Sequence, residues 1–135
     1  MTKQFLFIVC VATILTACSD QQVVYPYDFV NTKSEEKAEM LLYSCGDKPN
    51  TDTLVMFCKS KKEDFQNGAF HFVVFFDQKS NASFPNNPLT AGHNDEDQLK
   101  HIKAVYTYNH MNGYSKLDTY EANAWESKSN EIDIQ

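Results

Sequence analysis

Apolar positions at the start of the chain form one nearly continuous run. Residues 5–15 are apolar apart from a single threonine, and they follow the positive charge of Lys3. A run of about eleven residues suits the hydrophobic part of a secretory signal, whereas a bilayer span needs about 20 apolar residues. We therefore predict that residues 1–17 are a signal peptide.

The next periodic pattern predicts a helix over 33–45. Thr32 and Glu35 match the T-x-x-E spacing of a capping box, and Gly46 follows at the position where helices commonly end. Four apolar residues recur at the i, i+3, i+4, i+7 spacing of one helical face. These residues are Ala38, Leu41, Leu42 and Cys45.

A second helical pattern ends at about Asp64. Asp52 or Thr53 is the predicted N-cap residue, since both carry side-chain oxygens just before the apolar positions. A strand over 54–58 is the alternative that the same residues allow. The positions on the predicted helical face are Leu54, Phe57, Cys58 and Phe65.

Strand patterns dominate the second half of the chain. Residues 69–76 are rich in Phe and Val and predict a buried strand, and residues 100–109 alternate in the manner of a strand with one buried face. Asn112 and Gly113 form a dipeptide typical of a type I′ hairpin turn. Residues 114–125 are then expected to return as the partner strand.

Polar segments separate and end these elements. Residues 79–97 predict a long loop, which is uncommon in compact domains and often functional or mobile. Residues 126–135 are polar and predict a flexible tail. With a tether over 18–30, this leaves a single α+β domain over 31–125.

The end of the first apolar run resembles the lipobox of bacterial lipoprotein precursors. An apolar residue and two small residues precede a cysteine, in the order Leu15-Thr16-Ala17-Cys18. The resemblance implies that Cys18 carries acyl chains and becomes the first mature residue. An ordinary secretory signal with a coincidental cysteine is the alternative. Since Ser19, and not an aspartate, follows Cys18, the outer membrane is the expected destination.

The remaining cysteines predict a disulfide. Cys10 would leave with the signal and Cys18 would be lipidated, so Cys45 and Cys58 form the remaining pair outside the cytoplasm. If both helical patterns are right, this bond staples a helical hairpin. The predicted fold is therefore α+β, a disulfide-stapled helical hairpin packed on an antiparallel sheet of about three strands.

Charge excludes several kinds of partner. The chain has 18 acidic residues against 12 basic ones and a net charge of −6, and every basic residue is a lysine. Phosphate backbones and anionic headgroups are recognised by basic surfaces. We therefore expect no nucleic-acid partner, and we expect the lipid to supply the membrane attachment.

Candidate chemistry in the sequence is sparse. His93 precedes an acidic stretch, 94–97, which predicts either a weak oxygen-rich metal site or, more simply, a solvated helix-capping cluster. His71 lies within the Phe-rich strand. No motif for a hydrolase nucleophile, a zinc protease or a nucleotide-binding loop occurs. The sequence therefore predicts a protein that is not an enzyme and needs neither cofactor nor metal.

Aromatic residues cluster in the last third of the chain. They indicate either a sheet core or a binding surface, because aromatic side chains are enriched in both. Tyr114, beside the turn at Asn112 and Gly113, is the one expected to be exposed and marks a candidate interaction surface. The cluster comprises Tyr106, Tyr108, Tyr114, Tyr120 and Trp125.

Residues of about 25–60, which follow the lipobox cysteine Cys18, resemble the EexN-like lipoproteins, small plasmid-borne proteins linked to entry exclusion in conjugation. In that family a lipobox and an aromatic pair precede L-x-x-C, a proline and a second cysteine. This chain continues for more than 70 residues beyond that unit. The residues that carry the resemblance are Cys18, Tyr25, Tyr27, Phe29, Asn31, Glu36, Lys37, Leu42, Cys45, Pro49 and Cys58.

The sequence therefore predicts a membrane-anchored, non-catalytic envelope lipoprotein that acts by binding another protein. The resemblance implies a role in entry exclusion, with a partner in the conjugation machinery. One alternative is an accessory lipoprotein, or pilotin, of a secretion or pilus system. Another is a periplasmic inhibitor of a hydrolase, acting through the 79–97 loop or the turn at Asn112 and Gly113.

Overall fold

The computed structural model describes residues 21–91 and 94–135. They form one six-stranded mixed sheet in which every strand lies beside its neighbour in sequence. The predicted signal peptide, Cys18 and His93 lie outside the described residues. The strands are β1 (Asp28–Glu35), β2 (Ala38–Ser44), β3 (Phe70–Phe76), β4 (Ile102–Asn109), β5 (Tyr114–Tyr120) and β6 (Ser129–Asp133).

The predicted helical hairpin on a three-stranded antiparallel sheet is wrong. Among the described residues there is one long helix, α1 (Thr51–Asp64), and one single-turn helix, α2 (Glu96–Leu99). β2 and β3 are parallel and are joined by α1, whereas every other pair of neighbouring strands is antiparallel. A parallel pair requires a long crossover, and α1 supplies it.

The predicted helix over 33–45 is a β-hairpin instead. Thr32 pairs with Leu41 across β1 and β2, and the chain reverses at Glu36 and Lys37. β2 is covered on both faces, so its apolar residues run almost continuously, and a subset of them matches helical spacing by coincidence. Neither turn residue is a glycine or an asparagine, so the composition gave no turn signal.

The second predicted helix is confirmed as α1. Its N-cap is Asn50, whose side-chain oxygen accepts from the backbone N–H of Thr53 at 3.0 Å, so the helix is capped two or three residues earlier than predicted. Leu54, Phe57 and Cys58 are buried against the sheet. The alternative strand over 54–58 is therefore wrong.

Cys45 and Cys58 are free thiols, so the predicted disulfide is absent. Cys45 follows β2, and its thiol donates to the carbonyl of Gly46 at 3.4 Å, whereas Cys58 is fully buried on α1. The disulfide was predicted because these two cysteines remain as a pair outside the cytoplasm, and the helical hairpin that it would have stapled is not formed, since the first predicted helix is a β-hairpin. Burial raises the pKa of Cys45 to about 12 and that of Cys58 further.

The sheet is covered on both faces. On one face α1 packs against an aromatic core that includes Tyr43, Phe75 and Tyr106. On the other face the 77–101 segment covers β2 and β3, with Leu89 fully buried. The segment predicted as a loop over 79–97 is thus largely a structural cover, which also contains two short 3-10 helices, Lys79–Asn81 and Leu89–Ala91.

The polar C-terminal residues, predicted to be a flexible tail, form β6. Ser115 Oγ donates to the carbonyl of Ile134 at 2.8 Å and therefore accepts from the hydroxyl of Tyr106 at 2.9 Å. Ile134 is 2% exposed. The burial of Ile134 and the pairing of β6 with β5 thus order this segment, and the predicted flexible tail is wrong.

The segment predicted as a tether over 18–30 is partly folded onto the domain. The rings of Tyr25 and Tyr27 both pack edge-on against Phe57, at 5.1 and 5.2 Å between centroids. The hydroxyl of Tyr25 donates to the carbonyl of Met56 at 3.4 Å. Among the described residues, packing against the domain therefore begins at about residue 25.

Candidate interaction surface

The strand register gives the sheet two distinct ends. Glu35, Ala38, Phe70 and Asn109 are successive neighbours across β1 to β4, and Asn109 pairs with Tyr114 on β5. We call this end of the sheet the distal end. Asp28, where β1 begins, pairs with Ser44 at the opposite end. The chain therefore enters the sheet far from Tyr114.

The loop 110–113 closes the β4–β5 hairpin at the distal end. The side-chain oxygen of Asn109 accepts from the backbone N–H groups of Met111 and Asn112, at 2.9 and 3.3 Å. Gly113 alone in this loop has a positive φ, of 73°. The loop therefore has four residues and is not the predicted two-residue type I′ turn, in which Asn112 would also have a positive φ.

The predicted interaction residues are exposed at this end. Tyr114 is 41% exposed, and both Asn112 and Gly113 are exposed. Met111, which the sequence did not single out, is 78% exposed and is the most exposed large apolar side chain after Val24 in the described chain. The hairpin tip thus places an apolar and an aromatic side chain in solvent.

An apolar groove lies beside Tyr114, on the sheet face that the 77–101 segment covers only in part. The groove has a volume of about 220 Å³, and the rings of Phe70 and Phe72 in its wall lie stacked at 6.1 Å between centroids. The sequence predicted both phenylalanines as core residues of a buried strand. The groove is lined by Phe70, Phe72, Thr90, Thr107 and Tyr114.

An acidic cavity adjoins this groove and shares Phe70 with it. Its volume is about 660 Å³, and its lining includes Glu35, Glu36 and Glu39 together with Lys37. The carboxylate of Glu35 accepts from the backbone N–H of Leu89 at 3.0 Å and lies 3.7 Å from Lys33 Nζ. Phe70 is the one residue that the two linings share, so the distal end carries an acidic depression beside the β1–β2 turn and an apolar groove beside Tyr114.

The other aromatic residues of the predicted cluster lie elsewhere. Tyr106 is fully buried and Tyr108 is 7% exposed, as the core alternative predicts. Tyr120 packs partly buried against the second core. Trp125 is 51% exposed, but it lies in the segment between β5 and β6, at the end of the sheet opposite Tyr114.

The acidic stretch after His93 caps a helix. The carboxylate of Asp95 accepts from the backbone N–H of Gln98 at 2.9 Å, and the two residues form a capping box at α2. The amide of Gln98 donates to Ser83 Oγ and to the carbonyl of Phe84, both at 2.8 Å. Among residues 21–91 and 94–135 no three metal-ligating side chains converge.

A cluster of Asp77, Asn81 and His101 ties the end of β3 to the start of β4. Asp77 accepts from Asn81 Nδ2 and lies against His101 Nδ1, both at 2.9 Å. Burial opposes ionisation of Asp77, but hydrogen bonds from Asn81, His101 and the backbone of Gln78 outweigh it and lower the pKa of Asp77. The cluster closes the 77–101 segment over the sheet.

Asp77→Asn is expected to lower the free energy of unfolding at pH 7 by about 1–2 kcal/mol, because hydrogen bonds to a charged group are lost. A carboxyl group whose pKa is lowered by folding stabilises the fold at every pH above its pKa in the unfolded chain, which is about 3.9. This stabilisation is lost as the pH falls through the pKa of the folded state. Urea titrations at several pH values should therefore show the two proteins converging below about pH 4. A constant difference down to the lowest pH would contradict the ionised cluster.

Comparisons with protein-family models, with curated proteins and with solved structures gave no match. The resemblance to EexN-like lipoproteins thus rests on the residues named above. No helix in the described part of the chain is both long and apolar enough to cross a membrane.

Proposed function

We propose that this protein is a lipid-anchored envelope protein that acts without catalysis, by binding a protein partner at the distal end. The observation that carries the proposal is the exposed apolar groove beside Tyr114 at the distal end. Exposed aromatic side chains in concave apolar surroundings are typical of binding hot spots. The acidic composition, which contains no arginine, favours a protein partner over nucleic acid.

A short anchor supports this arrangement. If Cys18 carries the lipid, six residues, 19–24, separate it from the packed ring of Tyr25. The seven residue-to-residue steps from Cys18 to Tyr25 span at most about 25 Å when extended. The domain would therefore stay close to one bilayer, which we propose to be the outer membrane, and would meet partners that reach that surface.

The specific role we propose is entry exclusion, in which the lipoprotein of a recipient cell interferes with an incoming conjugation apparatus. This rests on the lipobox and on the spacing of Leu42, Cys45, Pro49 and Cys58. Recipient cells that express the gene are expected to receive the cognate conjugative plasmid less often than cells with an empty vector. Unchanged transfer would remove this role.

Tyr114→Ala tests whether the partner binds at the distal end. Truncating an aromatic hot-spot residue costs about 2 kcal/mol or more of binding free energy, which is roughly a thirtyfold loss of affinity. We therefore expect Tyr114→Ala to restore most of the plasmid transfer, at protein levels equal to the wild type on immunoblots. Mating frequency is the measurement.

Trp125→Ala is the matched control, because Trp125 is an aromatic residue of similar exposure at the opposite end of the sheet. It should leave exclusion intact. Equal effects of the two substitutions would place the binding surface elsewhere.

A further inference from the structure

Exposed apolar side chains surround the segment where the chain enters the fold. Val24 is 90% exposed, and Val23, Phe29 and Met56 are each more than half exposed. These four residues, which we call the N-terminal patch, make up four of the seven exposed large apolar side chains in the described chain. Single apolar residues on a surface are ordinary, whereas a contiguous group of them indicates a binding surface.

The N-terminal patch is contiguous because it surrounds one aromatic cluster. The ring of Tyr25 packs against Phe57 at 5.1 Å between centroids, and its hydroxyl donates to the carbonyl of Met56 at 3.4 Å. Phe29 packs against Tyr43 at 5.5 Å, and Tyr43 contacts Phe57 at 5.0 Å. The residues of the patch are therefore attached to the same set of ordered rings.

The N-terminal patch lies at the end of the sheet opposite the distal end. Phe29 is the second residue of β1 and pairs with Tyr43 near the end of β2, whereas Glu35, the last residue of β1, lies at the distal end. α1 follows β2 and carries Met56 in its second turn. The eight residues of β1 extend over about 26 Å. This length separates the patch from the distal end and Tyr114.

The proposed lipid would enter the bilayer close to the N-terminal patch. Residues 19–22 are polar, and Val23 and Val24 are the first apolar residues after Cys18. The seven steps from Cys18 to Tyr25 span at most about 25 Å when extended. Along the chain, the patch is therefore the part of the described apolar surface nearest to the anchor.

Charges around the N-terminal patch are close to balanced. Asp52 and Lys59 are exposed on α1, one turn before and one turn after Met56. Asp28, which precedes the patch residue on β1, lies 3.8 Å from Lys79 Nζ. A surface without excess positive charge gains little from anionic headgroups, so its attraction to a membrane comes from its apolar side chains.

We infer that the N-terminal patch rests in the headgroup region of the bilayer that holds the anchor. This inference rests on the proposed lipid at Cys18 and adds the orientation of the domain. Val24 and Met56 enter the boundary between headgroups and acyl chains, where apolar side chains of peripheral proteins are buried. The distal end, with Tyr114, then points away from the bilayer, toward an arriving protein partner.

The test measures which methionine lies at the lipid surface. The mature chain that would begin at Cys18 contains the buried Met40, Met56 in the N-terminal patch, and Met111 at the distal end. Protein purified from cell envelopes, with ¹³C-labelled methionine methyl groups, is placed in phosphatidylcholine nanodiscs that contain a lipid with a gadolinium chelate on its headgroup. Paramagnetic relaxation falls steeply with distance, so along a sheet this long we expect an enhancement about tenfold larger at Met56 than at Met111.

Met111 is the internal control, because it is 78% exposed and thus more accessible to solvent than Met56. A water-soluble gadolinium chelate should therefore reverse the order of the two methyl groups. Met40, at 3% exposure, should respond least to the soluble chelate.

Val24→Asp places a charge in the N-terminal patch without disturbing the core, since Val24 is almost fully exposed. Burial of an unpaired charge is unfavourable, so this variant should lower the lipid-borne enhancement at Met56 by about twofold or more. Asn112→Asp adds the same charge at an exposed distal position and should leave the enhancement unchanged.

Two results would overturn the orientation while leaving the anchor intact. One is lipid-borne relaxation of Met111 that equals or exceeds that of Met56 in protein that co-elutes with the nanodiscs. The other is a Met56 methyl shielded from both probes, which would show that a second copy of the chain covers the patch. Protein that does not co-elute with nanodiscs would refute the anchor, and with it both the proposed function and this inference.

Discussion

Phe75→Ala is expected to lower the free energy of unfolding by about 3–5 kcal/mol. Phe75 is fully buried and lies in ring contact with Tyr27, Tyr43 and Phe57, at 5.4, 6.0 and 5.7 Å between centroids. Removal of its ring would leave a cavity where β3, α1 and the N-terminal segment meet. Urea denaturation followed by circular dichroism measures the change.

Phe29→Ala is the control for this prediction. Phe29 is 52% exposed and contacts the ring of Tyr43 at the edge of the same cluster. Its truncation should cost about 1 kcal/mol or less, because half of the side chain already lies in water. If the two substitutions destabilise the protein equally, Phe75 is not at the centre of the core.

Cys18→Ser is expected to release the protein from membranes completely. The proposed acyl chains contribute about 0.8 kcal/mol per buried CH₂ group, and the described residues contain no helix suited to span a bilayer. After cell lysis and a high-salt wash, wild-type protein should sediment with membranes, whereas the variant should stay in the supernatant or remain as uncleaved precursor.

Cys45→Ser controls for the loss of a thiol, because Cys45 is a half-buried free cysteine in the folded domain. This variant should sediment like the wild type. A processed Cys18→Ser protein that still sedimented after the salt wash would show that something other than the lipid holds it.

Local sequence patterns predicted the elements whose residues have one buried face. α1 has a capping residue, a polar outer face and three buried apolar residues, and its prediction was correct. In β4 the alternation of buried and half-buried positions also identified the strand. In both, the period of the apolar residues follows directly from the backbone geometry.

The same reasoning identified β3 from its run of Phe and Val, but it failed for β2 and where tertiary contacts decide. β2 lies between α1 and the 77–101 segment, so its run of Met40, Leu41, Leu42 and Tyr43 carries no period of two. β6 is polar and depends on its pairing with β5. Neither the parallel pairing nor the free state of Cys45 and Cys58 is encoded in local spacing.

Of the candidate interaction surface, the sequence predicted only the residues at the tip of the β4–β5 hairpin. Tyr114, Asn112 and Gly113 stand out because an Asn-Gly turn exposes its neighbours. Phe70, Phe72 and Glu39 come from strands that the sequence presented as core or as helix, and only the register brings them to the same end as Tyr114. The long polar loop, a natural candidate for function, serves mainly to cover the sheet.

The central claim is that this acidic domain is held at a membrane by a lipid on Cys18. Mass spectrometry of the protein purified from cell envelopes tests it most directly. We predict a mature chain that begins at residue 18 and carries a diacylglyceryl group and an additional acyl chain on that residue. An unmodified N-terminus, or one at any other residue, would contradict the account.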